Sequence, residues 1–152
     1  MKDNLRQARL YFALLLLFTL GRWGMGFGGV EYARGHHVFS IVILTLLSCV
    51  YYPAFLRRAR GDGVMQGLAI GVLLGFSSQL LILASTVLSY ALGLETYFNH
   101  PTALNVERAI GFAPALGTRL LGLFANTLSC AVVGALGWAL GALLPASRAP
   151  EA

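Results

Sequence analysis

Four long apolar runs dominate the chain: Leu10 to about Gly29, Val38–Leu56, Met65–Leu92 and Leu120–Leu144. About 20 mostly apolar residues, rising ~1.5 Å each, cross ~30 Å of hydrocarbon, and every run is close to that length. Peptide groups inside a bilayer find no water, so a spanning segment is a helix or a strand of a closed barrel. Barrel strands are shorter and alternate apolar with polar, which these runs do not. The pattern predicts an all-α, polytopic integral membrane four-helix bundle, with residues 1–152 forming one four-span domain.

The stretches between runs set the connections. RRARGDG between the second and third spans is short, and Gly61 and Gly63 predict a tight turn joining an antiparallel hairpin. Pro53 is expected to kink the second span near its end. On the opposite side, Val30–His37 is brief, whereas Glu95–Gly117 is the longest non-spanning stretch. There Asn99 or His100 before Pro101 reads as a helix start. A short interfacial helix is expected, with Leu104, Ile110 and Phe112 toward the membrane, Glu107 and Arg108 toward water, and Pro114 ending it.

Composition agrees with the pattern. Only 11% of residues are charged, against about a quarter in soluble domains, and the mean hydropathy is +0.73. The net charge of +5 invites a nucleic-acid reading, but its distribution argues otherwise. Lys2, Arg6, Arg9, Arg57, Arg58, Arg60 and Arg148 fall on one side of the spans, against Arg34, Arg108 and Arg119 on the other. Short loops rich in Lys and Arg stay cytoplasmic, which predicts an N-in/C-in topology in a cell membrane, the inner membrane of a bacterium. The partner this implies is the lipid bilayer, with no nucleic acid. The first span resembles a secretory signal, yet GRWGMGFGG offers no small-residue cleavage site, so it reads as a retained anchor.

Inside the spans, glycines recur. Gly67, Gly71 and Gly75 share one face of the third span, and Gly134, Gly137 and Gly141 repeat the device in the fourth. Missing side chains let backbones approach, the main source of helix association in lipid. Packing within the bundle is the first use expected, with a homo-oligomer or a larger membrane complex as a second. A polar network is expected in the interior from Thr45, Ser48, Ser78, Gln79, Ser85, Thr86 and Asn126. Cys49 and Cys130 read as small packing residues.

One charge stands apart. Arg22 falls short of the outer interface and should reach out to pair with Glu31 or Glu95. With it, Glu31, His36, His37, Glu95 and His100 are expected to converge as an outer-face polar cluster, Gly35 taking a positive φ beside the two histidines. Interfacial capping and hydrogen bonding is the plain role for this cluster. No cofactor is predicted, although His36, His37 and His100 are candidate ligands for a divalent metal, with haem a weaker alternative.

Enzyme chemistry has little to stand on. The chain lacks GxSxG, HExxH, a Walker loop and paired carboxylates at membrane depth. The expected function is that of a small non-catalytic membrane protein, acting through helix packing as a subunit, scaffold or assembly factor. An oligomeric small-solute transporter or pore, and a metal- or haem-binding membrane protein, are the alternatives.

Overall fold

The computed structural model describes residues 8–144, and every regular element in that range is helical. The helices are α1 (Arg9–Phe27), the single turn α2 (Tyr32–Gly35), α3 (Ile41–Arg60), α4 (Val64–Ala91) and α5 (Phe112–Leu140). Short 3-10 turns cover Pro101–Leu104 and Gly141–Leu143. Four helices are long and apolar enough to cross a membrane: α1, α3, α4 and α5 with its 3-10 extension. Lys2, Arg6, Arg148 and the terminal ASRAPEA, which carry part of the basic bias, lie outside the described residues.

α3, α4 and α5 form the close-packed part, with α4 and α5 sharing the most extensive interface. Glycine makes that interface. A Cβ on Gly71 would collide with the Cys130 carbonyl, and one on Gly134 would sit 2.5 Å from the Gly67 carbonyl oxygen. The two stripes also divide their labour: Gly137 and Gly141 approach α3 instead, where a Cβ would meet the Val50 and Ala54 carbonyls at 2.6 Å each. At this end the α3–α4 turn is fixed by Gly61, whose φ of 72° closes α3 in the left-handed region. The Arg57 guanidinium lies 3.8 Å from the Trp138 ring centre, and the Trp138 indole donates to the Asp62 carbonyl at 2.6 Å.

α1 is peripheral. Only Tyr11, Leu15 and Thr19 are buried along it, and its anchor is the Tyr11 hydroxyl, which donates to the Leu74 carbonyl at 2.9 Å and lies 3.0 Å from the Thr45 hydroxyl. Between α1 and α4 an apolar groove of about 460 Å³ stays open, lined in part by Phe12, Leu16, Phe76 and Leu80.

Two expectations need correction at the end that carries the long loops. The interfacial helix is absent: residues 105–111 hold no helix, and only the turn Pro101–Leu104 is wound, stopped by Asn105 at φ 55°. Leu104, expected to face the membrane, is buried. Second, the last helix begins at Phe112, well before Leu120. Pro114 does not end an element; it is the third residue of α5. First-turn amides have no intrahelical acceptor, so proline costs little there.

Candidate functional site

The loop end is built around a plug. After Gly93, at φ 63°, the chain turns back into the mouth of the bundle and buries Thr96, Tyr97 and Phe98. The Asn99 amide staples this turn: its Oδ1 accepts from the Thr96 N–H at 2.8 Å, and its Nδ2 donates to the Leu94 carbonyl at 2.8 Å. The Thr96 hydroxyl reaches that of Ser89, and the Phe98 ring packs 5.7 Å from Trp23, centre to centre.

Two arginines fasten the plug and its neighbour loop. Arg119 extends from α5 to donate from Nη2 to the Phe98 carbonyl at 2.6 Å and from Nε to the Thr86 hydroxyl at 3.0 Å. Arg22 donates from Nη2 to the His36 carbonyl at 2.7 Å and from Nε to the Phe39 carbonyl at 3.2 Å, and lies 5.7 Å from the Tyr97 ring centre. The expected Arg22–carboxylate pair is therefore not formed. Glu31 instead pairs with Arg34 at 3.3 Å on the surface, and Glu95 is exposed. A guanidinium presents a planar fork of donors, and the two backbone carbonyls of this bend accept from two of them.

The three histidines lie near one another, with Tyr32 stacked between His36 and His100. The His100 ring lies parallel to Tyr32 with centres 4.3 Å apart, and Tyr32 and His36 stack at 5.9 Å; the His37 ring lies 3.7 Å from His36, centre to centre, but tilted by 44°. Tyr32 thus stands between His36 and His100. His36 and His100 also serve the backbone: His100 Nδ1 accepts from the Thr102 N–H at 3.3 Å, and His36 Nδ1 lies 3.0 Å from the Ala33 carbonyl. Among the described residues, no three His, Cys, Asp or Glu side chains come together as a metal-binding group. An open cavity of about 700 Å³ lies beside the stack, its wall including Glu31, Tyr32, His36, Glu95, Tyr97 and His100.

Gly35 does not take a positive φ; Phe39 does, at 49°. Gly35 is needed for space, because a Cβ there would collide with the Tyr97 hydroxyl, which donates to the Val30 and Glu31 carbonyls at 3.0 Å each. Burial pushes the Tyr97 phenol above its ordinary value, keeping it a neutral donor. The Phe39 strain is offset by its ring, which lies on Gly21 and edge-on to Phe18 at 5.6 Å.

The interior polar residues do not form one network. Ser78, Thr86 and Ser89 each donate to a carbonyl of their own helix three or four residues back, the usual recourse of a hydroxyl in mid-helix. Thr45 does the same toward Ile41 while meeting Tyr11. Ser85 lies 3.4 Å from the Trp23 indole nitrogen, and Ser48 is half-buried. Asn126 departs most from expectation, because it is exposed on the flank of α5. It shares a notch with Gln79 of α4: a Cβ placed on Gly122 would sit 3.5 Å from Asn126 Nδ2 and 3.9 Å from Gln79 Oε1. Cys49 and Cys130 are free and buried, their thiols facing each other between α3 and α5.

Sequence reasoning missed the role of Arg119, counting it as a loop residue, and the inward turn of Tyr97 and Phe98. The aromatic pair flanked by Thr96 and Asn99, between two half-polar stretches, was the available signal. No protein-family model, no curated protein and no solved structure matches this chain.

Proposed function

We propose that the chain is a small non-catalytic integral membrane protein, N-in/C-in, that works through its lateral helix faces as a subunit, scaffold or assembly factor. One observation carries this reading: the strongest polar groups are committed to holding the chain's own backbone. Arg22 and Arg119 are bound to carbonyls, Tyr97 bridges Val30 and Glu31, and His100 caps the 3-10 turn. The long sides are left uncommitted. Leu121, Phe124 and Leu128 of α5 are each about 70% exposed, and α1 keeps Leu10 and Leu20 nearly as open. In a bilayer such faces meet either lipid or another helix, and close packing selects the helix.

The cavity beside the ring stack favours a second reading, a small-solute site with Glu31 and Glu95 at its wall. One experiment separates the two. Extraction from native membrane in a mild amphipathic polymer is expected to recover a defined protein partner or a defined oligomer. Recovery of a lone chain that carries a bound solute, or that supports a solute flux in vesicles, overturns the packing reading.

A further inference from the structure

The notch over Gly122 lies midway along the two longest helices. Asn126 follows Phe112 by about 21 Å of helical rise, and Gln79 is similarly central in α4. Gly122, Asn126 and Ser129 recur at spacings of four and three, so they share one flank of α5. Missing a side chain, Gly122 opens the notch. Gln79 is 91% buried, its relative exposure being 9%, and its carboxamide oxygen is aimed at that opening. Neither Gln79 nor Asn126 makes a side-chain hydrogen bond among the described residues. Two adjacent carboxamides with unspent donors and acceptors, at the depth where a bilayer offers no water, call for a partner that brings its own polar group.

We propose that this flank binds a second copy of the same chain, with Asn126 meeting Asn126 of the partner over the paired Gly122 notches. This rests on the membrane reading above and names the partner of one lateral face. Symmetry favours the second copy. Two chains inserted in the same sense are related by a two-fold axis along the membrane normal, which places every residue at the depth of its own counterpart. A carboxamide is both donor and acceptor, so it is complementary to itself. The outward stripe beside it, Leu121, Ala125, Leu128 and Val132, alternates spacings of four and three, the repeat along which two helices stay in register. Gln79, behind the notch, lines the same opening in each chain.

The test uses the full chain in phosphatidylcholine–phosphatidylglycerol vesicles, with association followed by subunit counting as protein is diluted in lipid. The wild type is expected to be dimeric. Asn126→Val is expected to weaken association by about tenfold, the loss of one or two interhelical hydrogen bonds, while Asn126→Gln, which keeps the carboxamide, stays near the wild type. Asn126→Cys is expected to form a covalent dimer on mild oxidation, since Cys49 and Cys130 are buried and do not compete. A wild type that stays monomeric at high protein density overturns the proposal, as does an Asn126→Val variant that associates like the parent. If position 126 instead cross-links to a different protein in native membrane, the second copy is wrong and the subunit reading stands. A chain that pairs with nothing by either route overturns both.

Discussion

Replacing Gly71 with leucine is expected to abolish the folded bundle, whereas Gly117→Ala is expected to leave it intact or slightly more stable. At Gly71 the obstacles are backbone: the Cys130 carbonyl in direct collision and Ala131 Cα 2.9 Å from the added Cβ. Overpacking that displaces side chains costs about 1–3 kcal/mol; here α5 itself has to move away from α4, so the cost exceeds that range. Gly134→Leu is expected to behave alike, because it meets the Gly67 carbonyl and Gly71 Cα from the other side. Gly117 also lies in α5 but has nothing within 4 Å, and alanine there gains up to ~1 kcal/mol of helix propensity. Monodispersity after detergent extraction and the midpoint of thermal loss of helical circular dichroism report both. A Gly71→Leu protein that extracts and melts like its parent would refute the packing described here.

The second large effect is expected at Arg119. Its two hydrogen bonds hold the Phe98 carbonyl and the Thr86 hydroxyl, and bonds from a charged donor contribute about 1.5–3 kcal/mol each. Arg119→Leu should free the plug without unpacking the glycine interface, which lies further along α5. Amide hydrogen exchange should therefore accelerate across residues 96–104, with the Gly67–Gly75 segment keeping its protection. Lysine is a point charge without the planar fork, so Arg119→Lys should fall between leucine and the parent. Equal protection of the loop in Arg119→Leu and wild type would show that the plug is held by its buried rings alone.

The contrast between these two sites shows what the sequence makes legible. Length and apolarity decide which segments are long enough to cross hydrocarbon, and each run holds one long helix, although the last begins eight residues before its run. Three glycines at four-residue spacing declare a close approach, although not which neighbour approaches, and Gly137 and Gly141 turn out to face α3. The loop end reads less well, for a physical reason. Its main acceptors are the carbonyls of His36, Phe39 and Phe98, which no side-chain pattern advertises. Side-chain patterning alone therefore points Arg22 to a glutamate it does not touch. Pro114 misled in a similar way, because a proline before an apolar run reads equally as the end of one helix or the first turn of the next. The His36–Tyr32–His100 stack was half visible: three histidines at two loop edges pointed to one cluster, but Tyr32 between them carries no sequence signal of its own.

The proposed topology, four spans with both termini inside and the loop end outside, is tested most directly by thiol accessibility in intact cells. Cys49 and Cys130 are buried, so the wild type provides an unlabelled background. Glu107→Cys, in the exposed stretch after the 3-10 turn, is predicted to react with a membrane-impermeant maleimide added outside. Asp62→Cys, in the α3–α4 turn, is predicted to react only after the membrane is opened. Labelling of Asp62→Cys but not Glu107→Cys in intact cells would reverse the orientation, and labelling of both would contradict the membrane-spanning account itself.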